Sequence, residues 1–215
     1  MGSTFNSTIT NSYATGSVIG SSSQVGGLVG TNYLGTITNS YATGIVMGDN
    51  YVGGLVGDND NSSITNSYAT GSVSGVYQMV GGLTGSNFNA SITNSYATGS
   101  VSGTVWIGGL VGCSNGYNNG SAKHESITNS YATGGVTGHQ YVGGLVGYNY
   151  FCNIINSYAA GSVTGVTDSN GVGGLVGYND TYNGGVSITN SYATGRVTGQ
   201  QYVGGLVSCL VSSLQ

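Results

Sequence analysis

Ile37-Thr38-Asn39-Ser40-Tyr41-Ala42-Thr43-Gly44 and, eight residues on, Val52-Gly53-Gly54-Leu55-Val56-Gly57 are the two halves of a unit written seven times along the chain. The Tyr of the first half recurs at Tyr13, Tyr41, Tyr68, Tyr96, Tyr131, Tyr158 and Tyr192, at spacings of 28, 27, 28, 35, 27 and 34 residues. The Leu of the second half recurs at Leu28, Leu55, Leu83, Leu110, Leu145, Leu175 and Leu206. The unit is therefore 27–28 residues long, with insertions near 113–124, 166–171 and 180–185. Glycine obeys the same register. Five columns, represented by Gly16, Gly20, Gly26, Gly27 and Gly30, hold 34 of the 42 glycines, with Ser208 replacing the remaining one. Low complexity would scatter glycine, whereas fixed columns imply fixed backbone needs: positive φ at corners or close approach of neighbouring strands.

These spacings predict strand rather than helix. A glycine every few residues costs a helix about 1 kcal/mol each, and no apolar stripe of period 3.6 survives across a unit. Short apolar stretches bounded by Gly and Asn at a fixed period predict an all-β fold, a β-solenoid of about seven 27–28-residue coils forming a single domain over residues 1–215. One unit cannot bury its own apolar face, but stacked coils can. At about 4.8 Å per coil the rod is roughly 34 Å long. Stacking places identical residues above one another. The columns of Asn11 and Asn39 and of Asn32 and Asn59 then become amide ladders, and the Tyr column a ring stack. Ile37 and Val46, with their equivalents, are candidate core. Strict alternation cannot bury both Leu55 and Val56, so the direction of the Leu stays open.

Composition removes whole classes of function. Of 215 residues, 4% are charged, and the two Lys/Arg against six Asp/Glu give a net charge of -4. Lys123 and Arg196 are the only cations, so nucleic acid is excluded as a partner. Few ionisable groups also argue against acid–base catalysis. The in-register 38% of hydrophobic residues argues against a disordered linker, and the absence of proline against collagen. No apolar run is long enough for a membrane span, and no signal peptide is visible.

The Gly-Gly-Leu-Val-Gly segment, with the Tyr-Ala-Thr-Gly-x-Val-x-Gly stretch before it, resembles the GLUG-motif repeat. That family occurs in large surface and secreted proteins of bacteria and archaea, including adhesin-like proteins and some IgA-specific peptidases. The resemblance implies an extracellular or cell-surface setting, a repetitive scaffold and no defined catalytic residue, and no cofactor is expected. In the peptidases the repeats lie outside the catalytic machinery. Here His124-Glu125 continues as Ser126-Ile127-Thr128, so the second His of a zinc-protease motif is missing.

Other constellations have plain readings. Lys123-His124-Glu125 reads as a solvated loop. Cys113 and Cys209 share an offset but lie three coils apart, roughly 14 Å, beyond the disulfide limit of about 7 Å. Cys113 and Cys152 occupy different offsets, so free, partly buried thiols are expected. Asp58-Asn59-Asp60 and Asn179-Asp180 carry too few carboxylates for a Ca²⁺ array.

Two columns are candidate binding surfaces. Four residues before each Leu stand Gln24, Tyr51, Met79, Trp106, Tyr141, Gly171 and Tyr202, of which Tyr51, Trp106, Tyr141 and Tyr202 are candidates to stack on glycan rings. Their plainer role is cover over a glycine-rich corner. The second surface is a Thr/Ser row read as alternate positions of one strand: Thr70, Ser72 and Ser74; Thr98, Ser100 and Ser102; Thr133 and Thr137; Thr194 and Thr198. If Val73 points inward, these hydroxyls form an outward grid of about 4.8 by 6.7 Å, the kind of surface ice-binding solenoids use. Ile45, Met47 and Arg196 interrupt it. The sequence thus points to a non-catalytic repeat module acting as adhesin-like scaffold, stalk or self-associating element, with ice binding as the alternative. The expected partners are further copies stacked end to end, or a glycan or protein surface ligand. The apolar C-terminal end, Val203 to Leu214, is expected either to stay open to such stacking or to fold its tail back as a cap.

Overall fold

The computed structural model describes residues 2–116, 125–180 and 186–211, the side chains of 210 and 211 excepted. Every regular element among them is a strand, and every ladder is parallel. One coil shows the plan. Val29–Tyr33 is followed by Thr36–Thr38, Tyr41–Ala42, Val46–Gly48 and Asn50–Gly53, after which Val56–Asp60 begins the next coil. Equivalent residues pair directly: Ile37 with Ile64, Tyr41 with Tyr68, Val46 with Val73 and Asn32 with Asn59. The strands assemble into four sheets running the length of the rod. The expected β-solenoid of about seven coils is the observed architecture.

The coil encloses two cores rather than one. Three sheets, containing Val29, Ile37 and Ala42, surround the larger core, into which the Leu of each unit also packs. Val46 and Val52 face each other in a thin second lobe, where the remaining two strands of the coil fold back on one another. Both Leu55 and Val56 are fully buried. A bend at Gly54 and Leu55 breaks the alternation, so consecutive side chains enter the same core. The Leu/Val ambiguity is thereby resolved in favour of both.

The Gly-Gly pair marks where the second lobe returns to the first. A Cβ on Gly53 would strike the carbonyl of Val56 and lie 2.7 Å from Thr84 of the next coil. A Cβ on Gly54 would strike the Gly82 carbonyl and come within 2.8 Å of the Ala69 methyl. Close approach, not positive φ, is what these glycines serve. Left-handed conformations fall instead on corner columns in which Gly171 is the one glycine among the described residues. One is Asn11, Asn39, Asn66 and their equivalents, near φ 50°. Another holds Tyr51, Met79, Trp106 and Tyr141 at φ 51–60°. Asn tolerates this region because its short amide bonds locally; large side chains adopt it at a cost.

The insertions behave unequally. Residues 166–171 lie inside the strand Val163–Gly173, which spans both arms of the thin lobe, and its extra residues bulge where one arm turns into the other. The pairing with Val136–Gly143 jumps there from Gly138 opposite Gly165 to Gln140 opposite Asn170. Residues 113–115 complete the strand Val111–Asn115, so that insertion begins later than its spacing suggested. Residues 117–124, with Lys123 and His124, and residues 181–185 lie outside the described residues, as does the tail from residue 212.

Candidate functional site

The surface and corners of the rod are built from axial ladders, and each is set by the one-residue register of the parallel stack. The tyrosines of the Tyr-Ala strands stack in an unbroken column. Ring centroids from Tyr41 to Tyr158 are 4.9 Å apart, with planes within 2–4° of parallel. Tyr13 and Tyr192 continue the column at 5.1 Å. The column passes the coil interrupted by the longest insertion without a break. Burial and the neighbouring phenols push the Tyr96 and Tyr158 hydroxyls above the ordinary phenol range.

At the adjacent corner the exposed amides chain together: Asn94 donates to Asn66, Asn129 to Asn94, Asn156 to Asn129 and Asn190 to Asn156, each at 3.2 Å. Beneath them the Ser column is saturated. Ser67 Oγ accepts from the Ser40 amide at 3.1 Å and donates to the Thr65 carbonyl at 2.8 Å. The buried Asn column runs Asn32 to Asn59 to Asn87 at 2.9 Å per step. It weakens at Ser114, 3.5 Å from the Asn87 amide, and resumes between Asn149 and Asn179. Serine is too short for the rung, and the buried Asn149 Oδ1 has no hydrogen-bond partner.

The Thr/Ser row is exposed along much of its length but is not one strand. Thr70 follows the Tyr-Ala strand, Gly71 bends, and Ser72 precedes the strand Val73–Gly75 in a different sheet. Thr98, Ser100 and Ser102 repeat this arrangement, as do Thr133 and Thr137, and Thr194 and Thr198. The single-strand reading is corrected: glycine turns the chain between the threonine and the two later positions. The serines bond to one another, Ser100 to Ser72 at 3.1 Å and Ser102 to Ser74 at 3.3 Å. At the N-terminal end exposed Ile19, Ile45 and Met47 replace the hydroxyls.

The aromatic column also divides. Trp106 packs on Tyr148 at 5.3 Å and Tyr141 on Tyr178 at 4.8 Å, each reaching one coil onward. Tyr148 and Tyr178 stack at 5.2 Å and 4°. Tyr141 also leans over Gly171, where a Cβ would lie 2.7 Å from its ring. Tyr51 and Tyr202 make no ring contact among the described residues and stand outside this cluster. Tyr148 and Tyr178 were missed by the sequence reading. Their signal was available, because both stand three residues after a motif Leu.

Asp58 occupies that same column. Its carboxyl is pushed up by burial and by Asp60, against a lowering hydrogen bond from Ser86. Asn59 between them points into the buried ladder, so the Asp-Asn-Asp triplet does not converge on one point. The cysteines are free. Burial pushes the thiols of Cys113 and Cys152 up to about 12.

Seven coils paired in parallel, equivalent residue to equivalent residue, define a parallel β-solenoid repeat protein. The chain belongs to the GLUG-motif family, whose model matches residues 21–47, 48–74, 77–102, 138–164 and 168–198. No curated protein and no solved structure matches it. The matched core of the motif now has a physical meaning: the Ala of Tyr-Ala-Thr-Gly is the residue against which the second Gly of Gly-Gly-Leu packs.

Proposed function

We propose that this chain is a non-catalytic structural module of a surface or secreted protein, serving as a stiff, adhesin-like spacer. The observation that supports this reading most directly is the unbroken run of the backbone ladders and of the tyrosine stack from Tyr13 to Tyr192. Each coil is tied to the next by backbone pairing in four sheets and by stacked side chains, leaving no hinge among the described residues. Family membership supports the surface setting, which is the setting its resemblance implies. Coils added to either end in the same register, whether further repeats or second copies, would lengthen the rod at about 4.8 Å each. Small-angle scattering tests the stiffness: the expected profile is that of a rigid rod, and the curve of a flexible chain would overturn the reading. Light scattering across concentration tests end-to-end growth. A mass that rises with concentration is expected, and a constant single-chain mass would remove that part of the proposal.

A further inference from the structure

The polar ladders differ in one respect that bears on ligands. The corner Asn amides from Asn66 to Asn190 bond to one another, the buried Asn amides bond within their column apart from Asn149 Oδ1, and the column Ser hydroxyls bond to backbone, while Ser72, Ser74, Ser100 and Ser102 bond in pairs. The hydroxyls of the Tyr column and of the neighbouring Thr column do not. Among the described residues, no protein group bonds to the hydroxyls of Tyr68, Tyr96, Tyr131, Thr70, Thr98 or Thr133. The Thr side chains are exposed and the Tyr side chains partly so. Two parallel rows of unengaged hydroxyls therefore run side by side through the coils of Tyr68, Tyr96 and Tyr131, one of each kind per rung, with ring spacings of 4.9 Å; Ala160 ends the unbroken Thr row in the next coil.

We infer that these rows form a binding track for a neutral, hydroxyl-rich polymer lying along the rod: an extended, β-linked polysaccharide. The inference goes beyond the spacer role and is independent of it. The chemistry of the rows selects the ligand. Neither column contains a charged side chain, which disfavours charged polymers. An extended peptide advances about 3.3 Å per residue, so it falls out of step within a few rungs. A pyranose in an extended, equatorially linked chain advances by close to one rung, and its hydroxyls both donate and accept, as those of Tyr and Thr do. Many weak contacts in phase then add along the rod.

The test is retention of the whole chain on insoluble cellulose and chitin, with coiled, α-linked amylose as the comparison polymer. Retention on at least one β-linked glycan and weaker retention on amylose are expected. A triple variant, Tyr68→Phe with Tyr96→Phe and Tyr131→Phe, keeps the ring stack and deletes hydroxyls only. It should weaken retention about tenfold or more without lowering the melting temperature. A second triple, Thr70→Val with Thr98→Val and Thr133→Val, should do the same and carries the test if the first variant folds poorly. No retention on either β-linked glycan, equal retention on amylose, or wild-type retention in both folded triples would each overturn the proposal. None of these results bears on the scattering test of the spacer.

Discussion

Gly99 and Gly16 occupy the same place in the motif, yet a methyl group meets different surroundings at each. A Cβ at Gly99 would strike the Gly71 carbonyl and its carbon, whereas at Gly16 nothing lies within 4 Å. Gly99→Ala is expected to destabilise by about 3 kcal/mol, the upper range for overpacking. Gly16→Ala is expected to be neutral or to stabilise by up to about 1 kcal/mol, through reduced freedom of the unfolded chain. Urea unfolding of the two variants checks the contrast, and equal effects would contradict the close-approach account. Ser114 offers a repair in the opposite direction. Ser114→Asn restores the missing rung between Asn87 and Asn149 and gives the buried Asn149 Oδ1 a donor. A gain of about 1 kcal/mol is expected in the same experiment.

At the scale of the element, the Tyr-Ala strand is only two residues long, too short to hold itself, and its stability comes from the column above and below. Tyr96 stacks on both sides at 4.9 Å, while Tyr13 has one stacked neighbour. Tyr96→Ala should therefore cost more than Tyr13→Ala by about one stacked pair, 0.5–1.5 kcal/mol. Thermal melts of the two variants decide it. The columns themselves were legible in the sequence, because a parallel stack maps a linear repeat directly onto space. What was not legible arises where the path of a coil departs from straight strands. The bend that buries both Leu55 and Val56, and the second lobe formed by Val46 and Val52, depend on a turn that alternation cannot reveal. The candidate surfaces suffered for the same reason: the bend at Gly71 separates Thr70 from Ser72, and Trp106 meets Tyr148 only because one lobe leans on the next coil.

For the molecule as a whole, the titrating groups set a one-sided pH response. Cys113 and Cys152 rise from 9.0 to about 12 through burial, and the Tyr96 and Tyr158 phenols rise as well. Each group is held in its neutral form by folding. That contribution is fully present below the unfolded value and is lost as pH rises through the folded one. The urea midpoint should accordingly fall steeply above pH 9 and continue to fall toward pH 12. Cys152→Ala should flatten that fall. A midpoint unchanged between pH 8 and 11 would show that the thiols ionise without opening the core. Asp58 works in the same sense at lower pH: its raised value favours the protonated acid, so folding is opposed by its charge at neutrality. Asp58→Ser, which restores the residue type of Ser86 beside it, should stabilise at pH 7 and lose that advantage below pH 4.

The in-register pairing of identical rungs has a consequence for how such a chain changes over generations. Near-identical gene segments misalign readily, and unequal exchange between them adds or deletes whole units. In most folds such an event would scramble the interior. Here a gained unit meets, on both of its faces, the same edges that its neighbours already present to one another, as Ile64 meets Ile37 on one side and Ile92 on the other. Copy number can therefore drift by whole steps while every interface stays of a kind already tested. Length becomes a heritable quantity separable from foldability.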